Sequence, residues 1–375
     1  MLKVINRPSY RSILALYLFS QIPIPVGLSE DEELDGISGI VCLQTALLHI
    51  QQLRGRKKNR TAGSAPPAHL TQAFLDLENR AYWAAVVWDT SNAMMLNLRT
   101  TLTSGLRGAC AEPAWRLTSG FLVGSFQPKV EQWLKDGVEI TDQVASEIIA
   151  AAGVSKIYIW KNIASIKEAM REGLDEDTVL PVWGNVLAAL DIYKTSFTPL
   201  LNACERKLHF LSQVNRLNWY QVSLHYHLGI LVLVEALEAA QRIDLLPDIS
   251  EQAQDSEQES FNVLKFGLDN AYTLYGPGQG PPATSPNLGN AVDPSRQQFA
   301  ISLVSIDPNP RYVADAVLLM DKTVGRQYKE GNIKVETYSY LASILRSALE
   351  TLPQSSKYVQ AARHRLKDTN TISSP

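Results

Sequence analysis

The sequence predicts an all-α protein, a large multi-helix domain of antiparallel packed helices. Three observations lead there. Apolar residues recur at spacings of three and four along almost the whole chain, the period of an amphipathic helix. Strand-like alternation is scarce. Hydrophobic residues make up 45% and charged residues 19% of 375 positions, which suits a large interior.

The elements follow in order. A helix is predicted over about Tyr10 to Gln21, stopped by the prolines of "IPIPVG". In "SEDEELDG", Ser29 is placed to cap a short acidic helix. "GISGIVCLQTALLHIQQLR" is a strong helix with Ile40, Leu43, Leu47, Ile50 and Leu53 along one side. "RGRKKNRTAGSAPPAH", residues 54–69, has no apolar period and reads as an exposed loop. Helix resumes from about Leu70 through "LENRAYWAAVVWDTSNAMMLNLR", and "TSGLRGACAEPAW" breaks it again. Thr141 is a good N-cap, with Asp142 favouring the positive end of the helix dipole, and Gly173 is a C-terminal stop. "DEDTVLPVWGNVLAALDIYKTSF" starts with acids that suit a helix N-terminus. Residues 199–216 read as a further amphipathic helix, and residues 217–242 as the most apolar long helix, central to the fold. An acidic helix start follows Pro247, then a Gly/Pro-rich loop over about 275–295, then two closing helices and a frayed tail, "HRLKDTNTISSP".

Composition narrows the function. A formal net charge of -3 argues against a chain that holds DNA by general electrostatics. Cys42, Cys110 and Cys204 have no metal or disulfide spacing and read as small buried residues in a reducing compartment. The apolar patch Ile13–Phe19 is too short to span a bilayer and lacks a signal-peptide cleavage site, so no membrane attachment is expected. His225 and His227 lie about 200° apart around a helix, whereas a zinc pair needs a spacing of three or four. "SEDEELD" and "DEDT" read as solvated acids at helix starts rather than magnesium ligands. "RGRKKNR" is a nuclear-import or phosphate-binding run, or simply a solvated loop. G-x-S-x-G is absent, and the prolines of "YGPGQGPP" remove the donors a phosphate cradle uses. Trp83, Trp88, Trp160, Trp183 and Trp219 read first as core-fillers, and second as the lining of a pocket for a flat or apolar small molecule. No catalytic, cofactor-binding or metal-binding residue is assigned. Asp89, inside an apolar run, must lie on a wet face, satisfy a neighbour or work on a ligand; tying helices together by a hydrogen bond or an Arg pair is the expectation.

The stretch around Asp89 resembles the middle homology region of fungal binuclear zinc-cluster transcription factors. Glu78 and Arg80 match its charged start, Tyr82 and Trp83 its aromatic pair, and Asp89 and Ser91 its Asp-x-Ser. Where that pattern often closes with Gly-Arg-Pro, this chain has Asn97-Leu98-Arg99. "CLQTALLHIQQLR", "EITDQVASEIIAAAGVSKIYIWK" and "NWYQVSLHYHLGILVLVEALEA" resemble further helices of a filamentous-fungal branch. The resemblance covers about residues 8–245. The six-cysteine cluster through which that family reads DNA is missing, because the chain has three cysteines in all.

The resemblance implies a middle-homology-like helical region over residues 1–246 and a C-terminal helical extension, 247–375, packing on the same domain. It implies a nuclear regulatory domain, with the cytoplasm as alternative, that responds to a small-molecule effector or a partner, such as a full-length regulator or a second copy. Its setting would be a secondary-metabolite gene cluster, and no DNA contact through a zinc cluster of its own is expected. The rival reading is an enzyme of secondary metabolism, such as a terpenoid cyclase, on the same scaffold. That reading requires Asp89 and the "DEDT" acids to converge at one mouth of an apolar cavity.

Overall fold

The computed structural model describes residues 2–36, 38–61, 71–102, 112–275 and 298–372. The fold is all-α, with one two-stranded hairpin among the described residues. The chain divides into two compact units, each built from separated stretches. The first comprises Met1–Glu139, Ala150–Asn202 and Val232–Ala253, the second Ile140–Ile149, Ala203–Leu231 and Gln254–Pro375.

In the first unit, α1 (Leu2–Ile5), α2 (Tyr10–Ser20) and α3 (Glu30–Asp35) precede two long helices, α4 (Gly39–Thr61) and α5 (Gln72–Leu96). Ser9 caps α2, and Ser29 caps α3 in a reciprocal capping box with Glu32, so the predicted cap is present. Helices α2, α4 and α5 pack on one another around Ile13, Leu16, Leu47, Ile50, Ala81 and Ala85. The buried stripe of α4 is Cys42, Leu43, Ala46, Leu47 and Ile50, whereas Ile40, expected inside, is exposed in the first turn. The helix also runs through the basic stretch to Thr61, where a loop was expected from residue 54. Arg and Lys are good helix formers, cations suit a helix C-terminus, and Arg54 and Lys57 find carboxylates on other elements. The rest of that expected loop lies outside the described residues, as do Cys110 and most of the Gly/Pro-rich loop.

Next come α6 (Pro113–Ser119), a π-helical turn (Gly120–Phe126) and α7 (Gln127–Asp136). Helix α8 (Asp142–Arg171) is one continuous helix whose start is held by Thr141. Its end is a Schellman turn: Gly173 takes φ 61°, and Leu174 N–H reaches the Ala169 carbonyl at 3.1 Å. Helix α9 (Glu176–Ile192), capped by Asp175, leads into a second π-helical turn (Tyr193–Phe197). The two π turns meet through Phe126 and Phe197, stacked with centroids 5.1 Å apart and planes 6° from parallel.

The predicted helix over 199–216 is in fact broken. Helix α10 (Thr198–Glu205) ends, a short 3-10 turn follows, and α11 runs Gln213–Ala239. Ser212 enforces the break: its hydroxyl accepts from Asn215 N–H at 3.3 Å, and its own N–H is held by Asp142 Oδ1 at 2.7 Å. Helix α11 is the one described helix long and apolar enough to cross a membrane, and 56% of that apolar window is buried, as in a core helix.

The second unit contains α12 (Ser250–Asp269) from residue 254 on, a hairpin and three closing helices. Strand β1 (Ala271–Tyr275) pairs antiparallel with β2 (Gln298–Ser302), Thr273 opposite Ala300. Then follow α13 (Pro310–Lys329), α14 (Val335–Thr351) and α15 (Lys357–Ile372). The expected frayed tail is helical as far as Ile372, continuing α15, whose buried face is Val359, Ala362 and Leu366; residues 373–375 lie outside the described residues. Helices α11 and α12 approach closely at Gly267, where a Cβ would stand 2.4 Å from the Tyr220 ring. That ring is fully buried and has no room to retreat. Gly267→Ala is therefore expected to lower stability by about 1–3 kcal/mol through overpacking. A urea-unfolding midpoint equal to wild type would contradict this close approach.

Candidate functional site

Glu78, Tyr82 and Asp89 are four and seven residues apart, which sets them within about 40° of one another on one face of α5. That face runs from the surface into the core of the first unit. At its outer end lies an open cleft of about 380 Å³, lined by Tyr10, Ile50, Arg54, Lys57, Glu78, Asn79, Tyr82 and Pro113. This volume falls in the range of small-molecule sites.

Two charge pairs organise the cleft. Glu78 accepts from Tyr10 Oη at 2.7 Å and Lys57 Nζ at 2.8 Å. Behind it, buried Glu112 takes both arms of the Arg54 guanidinium, at 2.9 and 3.2 Å, and the Tyr82 hydroxyl. The guanidinium also stands over the Tyr82 ring, 4.8 Å from its centroid. Tyr82 Oη accepts from Ala114 N–H at 3.2 Å, so it ties α5 to the start of α6. Burial, and then the adjoining carboxylates, push both tyrosine hydroxyls well above their usual range, so they remain donors.

At the inner end, Asp89 is 7% exposed and accepts from Thr101 N–H and Leu102 N–H, each at 2.9 Å. Those amides belong to the segment that follows α5. The turn into that segment is made by Asn97, which adopts the left-handed conformation (φ 53°); Asn tolerates it better than most residues. Arg99 Nε then lies 3.6 Å from buried Glu168 and 3.8 Å from Glu172. Burial raises the Asp89 carboxyl to about 6, against the lowering effect of the two amides. Asp89 thus satisfies a neighbour, as expected, but the neighbour is neutral backbone rather than another helix or an arginine. A cavity of about 20 Å³, room for a single water, lies beside it, lined in part by Thr90, Glu112, Lys161 and Ser165. Glu112 therefore borders this cavity and also anchors the outer cleft.

The remaining motif residues are dispersed. Arg80 and Trp83 are exposed on other faces of α5, and Ser91 is buried. Tyr82 and Trp83 still touch, with ring centroids 5.8 Å apart. Trp160, Trp183 and Trp219 are core residues, and none of the five predicted tryptophans lines either cavity. In the second unit, His225 faces Asp307 (4.0 Å) and Tyr312, whereas His227 meets Ser256 at 3.1 Å, so the two part as their spacing dictates. Burial holds His227 down to about 4. Among the described residues, no three His, Cys, Asp or Glu side chains gather as a metal site. Asp175, Glu176 and Asp177 are exposed; Asp175 caps α9 and Glu176 pairs with Arg242. The convergence of these acids with Asp89 at an apolar mouth, required by the cyclase reading, is therefore missing.

Sequence reasoning missed Tyr10, Arg54, Lys57 and Glu112 as members of the site. Arg54 and Lys57 were visible only as part of a basic run. Glu112 had one local signal, its place just before a helix that opens with proline.

Asp89→Ala leaves two amides, the buried Leu102 N–H among them, without their acceptor and is expected to lower stability by about 1–3 kcal/mol. Asp89→Asn tests the titration. The folded-state value of about 6 exceeds the ordinary 3.8, so the folded state binds the extra proton between those values. Wild type should therefore gain about 1–2 kcal/mol relative to Asp89→Asn as the pH falls from about 7 to about 5. Denaturant titrations at both pH values check this; a pH-independent difference between the two proteins would sink it.

Comparison with known protein families, with curated proteins and with solved structures finds no match to this chain.

Proposed function

We propose that this chain is the effector- or partner-responsive regulatory domain of a fungal transcription regulator, of the middle-homology kind, acting in the nucleus. The observation that carries the reading is the polar row on α5. Glu78 and Tyr82 line an open cleft, Glu112 stands behind it, and Asp89 fixes the backbone at Thr101 and Leu102. One helix thus connects a ligand-sized surface opening to a buried backbone lock.

The row supplies a route for control. A molecule seated in the cleft competes for Arg54 and Lys57, and whatever it takes from Arg54 is withdrawn from buried Glu112. Glu112 borders the water-sized cavity beside Asp89, so the disturbance is felt at the lock. Such a molecule shifts the balance of two states only by its differential affinity for them. The output is a changed surface toward a full-length regulator or a second copy.

A reporter assay tests the proposal. The chain is placed between a heterologous DNA-binding module and an activation module. Reporter output is expected to fall at least about tenfold below that of the two modules joined directly, as a control region worth about 1.4 kcal/mol or more would produce. Tyr82→Phe, which removes only the hydroxyl, is expected to restore part of that output at equal protein level. Output equal to the bare module pair would overturn the regulatory reading.

A further inference from the structure

The charge pairs of the cleft are arranged with an inside and an outside. Glu112 is 5% exposed and Glu78 15%, whereas their partners Arg54 and Lys57 are 35% and 56% exposed. The carboxylates lie beneath, covered by cations and tyrosine hydroxyls, and the cationic heads face solvent. Arg54 spends two of its five donors on Glu112, which fixes its plane over the Tyr82 ring. Lys57 lies one helical turn further along α4. Residues 54–60 of the sequence carry no acid. Two aromatic residues of the cleft, Tyr10 and Tyr82, are in its lining as well.

From this geometry we infer that the cleft binds a small planar organic anion, a molecule with one carboxylate or phosphate group on an aromatic or conjugated body. The anionic group sits against Arg54 and Lys57, and the flat body lies along Tyr10 and Tyr82. A cationic ligand would meet the exposed heads of Arg54 and Lys57 and be repelled. A neutral isostere keeps the ring contacts and loses the charge-assisted hydrogen bonds, which are the stronger kind. The inference takes the proposed effector site as its starting point and gives the effector a chemical class.

The test titrates the purified chain with four probes, benzoate, phenyl phosphate, benzamide and benzylamine, by calorimetry or ligand-observed NMR. At least one of the two anions should bind about tenfold or more tightly than benzamide, with benzylamine weakest. Which anion prevails distinguishes a carboxylate effector from a phosphorylated one. Lys57→Gln should weaken that anion about tenfold, and Lys57→Arg should restore it. Lys57 is a surface side chain, so its variants should fold, and matching melting curves verify that they do. Lys135→Gln, at an exposed position elsewhere in the first unit, should bind like wild type. Anions no tighter than benzamide, or an anion affinity unmoved in Lys57→Gln, would overturn the inference. Failure here together with intact reporter repression removes the ligand class alone; anion binding without repression removes the regulatory role and leaves the site.

Discussion

Everything in the first unit turns on how its buried carboxylates are answered. Asp89 holds two backbone amides, Glu112 holds an arginine and a tyrosine, and Glu168 lies beside Arg99. An unanswered carboxylate in such a setting costs several kcal/mol. Each acid therefore dictates where a second element must come. Asp89 draws in the segment after α5, Glu112 brings α4 and α5 to the start of α6, and Glu168 places α8 against Arg99. The apolar contacts of α2, α4 and α5 supply bulk stabilisation, but they would tolerate several arrangements; the acids select one.

Much of this was legible in the sequence, and the limits have a physical pattern. Signals decided within one helical turn read correctly: the cap at Ser29, the start at Thr141, the stop at Gly173. Signals decided across the chain did not. The basic run of α4 looked like a loop because its partners, Glu112 and Glu78, lie 58 and 21 residues further on. The break before α11 was hidden because Ser212 is fixed by Asp142, 70 residues earlier. The site behaves the same way. That Asp89 must be satisfied follows from its apolar neighbours, whereas the identity of its donors, twelve and thirteen residues later, depends on the turn at Asn97. Glu78 and Tyr82 were singled out by a resembled pattern, and the cations that complete their cleft carried no comparable mark.

Glu112 deserves weight beyond its hydrogen bonds. It borders the chamber that fits one water, and it is joined to the open cleft only through the two cleft residues it holds, Arg54 and Tyr82. Burial keeps it from finding substitute solvation when a partner is withdrawn. In this arrangement the outer cleft is the tolerant part and the inner lock the exacting part.

The stacked pair of π turns has a consequence of another kind. Each π turn is a place where the chain carries surplus length relative to an α-helix. Deleting one residue from such a turn removes that surplus and relaxes it to α, while the helices on either side keep their register. Here the two turns face each other through Phe126 and Phe197, so shortening one alters the turn on which that stack is built.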